Sequence, residues 1–437
     1  MSALVDDRAK DDALRRWIEE LSGARIGEVQ RVSGGAFRIS ARVRLEGGPR
    51  ESLFLKIDLG SAPKTPFDLR REYRLLDRLG GQARAPRALG FHDGVCAMAM
   101  ETLPGEARYD GLDDEAWRAR IERSFAEALV ECHRVEVAAL GLDHLPPGRT
   151  IGEAIRTDLD LWQALLADGV PAPDPITLFA LAWCRVRLPA EDRPAVLVQG
   201  DAGPGNFLFD RSGVTGMVDW EMAHLGHPLE DIGCVLARSL VQPMASAARI
   251  LALYNAAAGS DWDRAALLYA TILVMTRFSV PISLALESRN TGLDYGLTNS
   301  YFRLSQISLL LLIAAAEGIA LDETAPATGD RPAIGFEFDY LRAVLGDVVR
   351  PAIEDPYVRY RLDGAIGLIA YLDAALAEDG EDRRVDVGAG ITAQSRLIEE
   401  GGDRLGAAMQ AMLAEALHRE RLMRPMLGPL HGRRVRI

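Results

Sequence analysis

Three side chains between Val196 and Gly233 have the types and spacing to handle a hydroxyl proton and a hard metal ion. An apolar run delivers Gly200-Asp201 onto a Gly-rich loop, where the Asp201 carboxylate can face solvent and accept the proton of an incoming hydroxyl. Asn206 follows on the same loop. A second apolar run then passes through a tight turn into another apolar strand that ends in Asp219. Asn206 and Asp219 both offer oxygen donors, which suit Mg²⁺, and that ion commonly completes its shell with phosphate oxygens. The pattern D-x-x-x-x-N followed by a metal-binding Asp uses these residues as base and ligands.

A short motif of this kind also arises by chance, so the upstream half of the chain matters. Of the 50 basic residues only Lys10, Lys56 and Lys64 are lysine, and arginine is the default cation. Lys56 lies in the apolar run LFLKIDL, among Phe54, Leu55 and Ile57. An ammonium buried without a partner costs several kcal/mol, so an anion must lie nearby. Glu72, in the next expected helix and beside its apolar face, is the candidate. A compact ammonium threads between phosphate oxygens in a way the wider guanidinium fork does not. Taken alone, Lys56 would also fit an edge-strand lysine reaching to water. Its order and distance relative to the downstream segment favour the paired reading.

The elements around these residues follow from periodicity. An amphipathic helix is expected over Asp11 to Leu21. VQRVSGGAFRISARVRLEGG carries a Ser-Gly-Gly turn between two alternating runs, a hairpin signal, and ESLFLKIDL adds a further strand. Phe67 to Leu79 has helical spacing, with Leu69, Tyr73, Leu76 and Leu79 on one face. Short strands are expected at Ala88 to His92 and Val95 to Glu101. Asp113 to Leu188 reads as helical with a loop near Pro146-Pro147, Ala195 to Trp220 as strand–loop–strand, and the chain to Gly318 again as helical. LDETAPATGDRPAIG reads as a linker. Three helical stretches follow it, Phe338 to Val349, Val358 to Leu376 and Asp403 to Leu422, and then a basic tail with Arg433, Arg434 and Arg436, expected to be solvated.

With Lys56, Glu72, Gln199-Gly200-Asp201, Asn206 and Asp219-Trp220 in this order, the chain resembles the aminoglycoside phosphotransferase and choline kinase family, over about residues 10 to 318. The continuation DWEMAHLGHPLEDIG resembles the branch of kinase-like domains fused to acyl-CoA dehydrogenases. The resemblance implies an α+β, bilobal protein-kinase-like fold, with a small antiparallel-sheet N-lobe, a mostly helical C-lobe and a helical C-terminal extension. It implies a nucleotide-binding N-lobe at 1–103, a catalytic and acceptor-binding C-lobe at 104–320, a linker at 321–335 and a helical domain at 336–437. It implies ATP and Mg²⁺ as cofactors. Lys56, held by Glu72, would orient the nucleotide phosphates, Asp201 would be the catalytic base, and Asn206 and Asp219 the magnesium ligands. Gly34 and Gly35 would cover the nucleotide, although the same pair fits a plain hairpin turn. Glu101 and Leu103 would offer backbone groups to adenine, and Asp231 would brace the catalytic loop. The family's usual histidine is Gln199 here, which can still donate and accept.

The implied reaction is ATP-dependent phosphoryl transfer to a hydroxyl of a small molecule. The DWE-type continuation favours a hydroxy acid or hydroxyacyl-CoA as acceptor. Aminoglycoside-type acceptors are the alternative, and a nucleotide-binding scaffold without turnover is another. Net charge −13 and pI near 5.2 argue against coating nucleic acid or an anionic membrane. The four scattered cysteines form no CxxC pair and read as small buried hydrophobes. The charged N-terminus has no signal-peptide core, and the apolar segment Ala265 to Leu286 is interrupted by Arg277 and Pro281, so a cytoplasmic protein is expected. His224 and His227 beside Glu221 read as loop support rather than a metal cluster.

Overall fold

The computed structural model describes residues 4–5, 7–32, 38–60, 66–288, 293–324, 335–375 and 387–437. Gly34 and Gly35, and most of the expected linker, lie outside the described residues. The chain divides into two compact units, one of Met1–Ile155 with Pro189–Thr271 and one of Arg156–Leu188 with Ile272–Ile437.

In the first unit, helix α1 (Arg8–Ser22) precedes strands β1 (Arg25–Val32), β2 (Arg38–Glu46) and β3 (Ser52–Asp58). Helix α2 (Leu69–Leu79), β4 (Ala88–His92) and β5 (Ala97–Glu101) complete an antiparallel sheet of order β1-β2-β3-β5-β4. Strand β3 is central, and its two-residue period sorts its side chains. Leu53, Leu55 and Ile57 enter a core with Leu14 and Ile18 of α1, Ala41 and Val43 of β2, and Ala97 and Ala99 of β5. Lys56 therefore points to the opposite face, in register with Met98 on one neighbour and Ser40 on the other.

Asp68 caps α2 by accepting the Arg71 N–H at 2.7 Å, and Gly80 ends it in the left-handed conformation. The expected face is buried except at Tyr73. Leu69, Glu72, Leu75, Leu76 and Leu79 are buried, whereas Tyr73 turns outward to lean on Phe91, ring centroids 5.3 Å apart. Glu72 also faces inward, where it meets Lys56.

Helices α3 (Glu115–His133) and α4 (Val137–Leu140) follow, and α5 (Ile151–Gly169) and α6 (Pro175–Val186) lead to the short strand β6 (Val196–Val198). The hairpin β7 (Phe207–Asp210) and β8 (Gly213–Met217) comes next, then β9 (His224–Gly226), which pairs antiparallel with β6. Strand β9 was not foreseen, because three residues carry no period and its partner is distant in sequence. Helices α7 (Leu229–Arg238), α8 (Ala247–Ala258), α9 (Arg264–Glu287) and α10 (Tyr295–Glu317) continue the chain. Among the described residues α9 alone is long and apolar enough to cross a membrane, yet 67% of its most apolar window is buried inside the protein. That is the pattern of a core helix.

In the second unit, α11 (Gly335–Ala343) and α12 (Pro356–Ala375) are followed by α13 (Val387–Glu400) and α14 (Gly402–Leu422). Helix α13 packs on α6, and α14 packs on α10. The basic tail is solvated only in part: Arg436 is exposed as expected, but the residues before it are held. Arg434 forks onto Glu420 at 2.7 and 2.9 Å, and the buried Val435 donates its N–H to Ser308 Oγ at 3.1 Å. Cys132, Cys184 and Cys234 are buried thiols and Cys96 is half-buried, none of them in a disulfide.

The architecture is an α+β, kinase-like fold, with a five-stranded antiparallel sheet at the N-terminal end, a mostly helical remainder and additional C-terminal helices.

Candidate active site

Lys56 meets two carboxylates at once. Its Nζ donates to Glu72 Oε1 and to Asp219 Oδ1, each at 2.7 Å. Burial disfavours the ammonium, but the charges of Asp219 and Glu72 outweigh it and hold the Lys56 pKa above its ordinary range. Glu72 is buried in α2, and its Oε1 also accepts the Trp220 N–H at 3.2 Å. One carboxylate thus fastens both the strand lysine and the turn after β8. That turn places Asp219 at φ +62°, a left-handed conformation that costs most residues but that Asp tolerates. Despite its burial, Lys56 holds Asp219 below the usual carboxylate range.

The loop after β6 carries Asp201. Asn206 donates its Nδ2 to Asp201 Oδ2 at 2.7 Å and to the Asp201 carbonyl at 2.9 Å. The Asn206 carbonyl accepts the Val218 N–H at 3.0 Å, joining this loop to the residue before Asp219. Burial raises the Asp201 pKa, and Arg238 opposes the rise.

Gln199 does more than a neutral histidine could. Its Nε2 donates to the carbonyls of Val218 and Asp219 at 2.8 and 2.6 Å, while its Oε1 accepts the Asp201 N–H at 2.8 Å. Neutral imidazole has one donor and one acceptor. Asp231, fully buried in the first turn of α7, accepts the N–H groups of Gln199 and Gly200 at 3.0 and 2.8 Å. His133 lies 3.0 Å from the same carboxylate and is bonded in turn to Tyr254.

Glu221 sits where the two halves of the site meet. It contacts Arg38 at the start of β2, which also donates to the Phe67 carbonyl at 2.8 Å. Burial, with Asp219 beside it, pushes the Glu221 pKa up to about 7. Glu72, Asp219 and Glu221 bring ligand oxygens within 4.8 Å of one another, and Glu72 Oε2 is buried without a hydrogen-bond partner. An oxygen-only set of this kind, beside the oriented Asn206 amide, fits Mg²⁺.

Other sequence candidates are placed as follows. Glu101 closes β5 and donates its N–H to the Arg87 carbonyl at 2.9 Å. Leu103 packs against Gly216 of β8. His224 lies between the Met222 carbonyl and Glu230, and His227 stacks on Trp262 with centroids 4.3 Å apart. Neither histidine belongs to the carboxylate cluster. Sequence reading missed Arg38 and Arg238. With 47 arginines in the chain, nothing in the pattern singles them out.

The profile of the "Phosphotransferase enzyme family" matches residues 28–268, more than half of the chain. A probable acyl-CoA dehydrogenase of Arabidopsis thaliana is 30% identical over 181 residues, which is 37% of this chain and 22% of that protein. Acyl-CoA dehydrogenase family member 11 of Rattus norvegicus is 32% identical over 122 residues, 27% of this chain and 15% of that one. The chain thus spans less than a quarter of either relative. A solved putative aminoglycoside phosphotransferase from Ralstonia eutropha, 17% identical, superposes with a TM-score of 0.55 over 70% of this chain and 98% of its own, and so shares the fold. The family match covers Lys56, Glu72, Asp201, Asn206 and Asp219, and the chain belongs to the phosphotransferase enzyme family.

Proposed function

We propose that this chain moves the γ-phosphoryl group of ATP to a hydroxyl of a small molecule, and that the acceptor is a hydroxy acid or a hydroxyacyl-CoA. The observation that carries the reading is Lys56 held at 2.7 Å between Glu72 and Asp219, with the Asp201–Asn206 loop tied to the same turn. The acceptor oxygen attacks the γ-phosphorus, the bond to the β–γ bridging oxygen breaks, ADP leaves, and the hydroxyl proton passes to the Asp201 carboxylate. Lys56 orients the nucleotide phosphates, and positioning with charge neutralisation supplies most of the rate. Asn206 and Asp219, with Glu221 alongside, would hold Mg²⁺, which when bound neutralises phosphate charge. The names of the two acyl-CoA dehydrogenase relatives support the acyl acceptor.

Residues 1–103 serve in this reading as the nucleotide-binding lobe and 104–320 as the catalytic and acceptor-binding lobe, with 336–437 a helical addition. Gln199 keeps the loop of Asp201 and the Asp219 turn bonded together, which supports turnover over the scaffold alternative.

Asp201→Asn should lower kcat by about 10²- to 10⁴-fold, the usual share of a general base, while Mg·ATP binding measured by calorimetry persists. Turnover is to be screened over hydroxyacyl-CoAs, hydroxy acids and amino sugars. Tight Mg·ATP binding with no ATP consumption on any of them would sink the proposal, and turnover confined to amino sugars would sink its acceptor half.

A further inference from the structure

Arg238 closes the last turn of α7, and none of the roles above uses it. Its guanidinium reaches back over the catalytic loop. Nη1 donates to Asp201 Oδ1 at 2.6 Å, while Nε and Nη2 donate to the Pro204 carbonyl at 3.2 and 3.0 Å. Asp201 Oδ2 already holds the Asn206 amide at 2.7 Å. Each carboxylate oxygen therefore has one fixed donor, which locks the rotamer, and each keeps a second lone pair for a substrate hydroxyl.

The loop is shaped around this side chain. Gly203 and Gly205 have φ of +141° and +94°, and added Cβ atoms would stand 3.0 Å from Arg238 Cδ and 3.3 Å from its Nη2. The backbone at both positions disfavours an L side chain, and a Cβ at either would crowd Arg238. Helix α7 consequently grips the loop on both sides of Asp201. Asp231 in its first turn takes the N–H groups of residues 199 and 200, and Arg238 in its last turn takes the carboxylate and the carbonyl of residue 204.

We propose that Arg238 is a positioning residue for phosphoryl transfer, fixing the Asp201 carboxylate and the closed 201–206 loop so that the acceptor hydroxyl meets one defined oxygen. This rests on Asp201 being the base. Stability alone does not account for the arrangement. The two side chains are still 23% and 24% exposed, so the paired carboxylate stays within reach of an incoming hydroxyl. A lysine could not reach both the carboxylate and the Pro204 carbonyl, because it lacks the planar fork.

The test uses the full chain and its best acceptor, with wild type, Arg238→Met, Arg238→Lys, Asp201→Asn and the Asp201→Asn/Arg238→Met double variant. Arg238→Met should lose about 30-fold or more in kcat, in line with the cost of a misplaced reacting group, with KM for ATP and acceptor within about threefold. Arg238→Lys should recover part of the loss, and the melting temperatures should stay close to wild type. In the Asp201→Asn background Arg238→Met should cost less than about threefold more, since no carboxylate remains to be placed. Wild-type kcat in Arg238→Met would overturn the proposal. So would a rise in acceptor KM alone, which would make Arg238 an acceptor ligand. Losses that multiply in the double variant, or melting that collapses in both Arg238 variants, would overturn it too. An Asp201→Asn variant as active as wild type would remove the base reading itself, an outcome distinct from an inactive Asp201→Asn beside a fully active Arg238→Met.

Discussion

Gln199 holds three polar groups that no other side chain serves in the same way: the Asp201 N–H and the carbonyls of Val218 and Asp219. Gln199→Leu keeps the bulk and leaves all three unpaired in a buried place, where each lost bond carries a desolvation cost of about 1–3 kcal/mol. Its kcat should fall by about 30-fold or more. Gln199→His, able to serve only two of the three, should stay within about tenfold of wild type. Steady-state kinetics of the pair decides the matter, and wild-type rates for both variants would remove Gln199 from the machinery. The partnership of Lys56 with Glu72 was legible in the sequence, because an ammonium in an apolar strand demands an anion and α2 offered one at its inner edge. Arg238 was not. Its importance comes from a contact across 37 positions with a loop shaped to receive it, and sequence spacing carries no trace of that.

At the scale of elements, the junction of β9 and α7 depends on a neutral ring. His227 is buried, its Nδ1 accepts the Leu229 N–H at 3.0 Å, and its backbone N–H is held by Glu230. Burial drives its pKa from the ordinary 6.5 down to about 4. The unfolded chain then takes up the proton first as pH falls. Stability is complete above about pH 6.5 and declines from there through pH 4, by an amount on the order of 3 kcal/mol. His227→Gln retains an acceptor for Leu229 but cannot titrate. Its denaturation midpoints at pH 7 and pH 4.5 should differ less than those of wild type, and an unchanged difference would contradict this account. Element types were largely readable from period and turn residues. What escaped was of two kinds. The strand β9 is too short for any period, and the half-buried place of Tyr73 on α2 is set by its contact with Phe91, a neighbour distant in sequence.

Across the whole molecule, the C-terminal helices share a core with earlier ones. Ile391 and Ile398 of α13, and Leu405, Met409, Leu413 and Leu417 of α14, are buried against their neighbours. Each such side chain contributes about 1.5–3 kcal/mol by leaving water, and together they match the usual folding margin of about 5–15 kcal/mol. Deleting residues after 334 should therefore yield aggregated or molten protein by size-exclusion chromatography and thermal shift. A monodisperse truncated chain with an unchanged melting temperature would show that α6 and α10 stand without α13 and α14. The Pro- and Gly-containing composition of 321–335 suggested a tether, but composition cannot show what the helices beyond it pack against.

The choice of cation across the chain has a chemical corollary. Acylation and conjugation of a lysine need a neutral, nucleophilic amine. This sequence offers three lysine amines in 437 residues, and Lys56 is kept as an ammonium by two carboxylates within hydrogen-bond reach. The pair that would ready Lys56 for phosphate oxygens also withholds its lone pair and so guards it against covalent capping, while Lys10, exposed on α1, stays open to it.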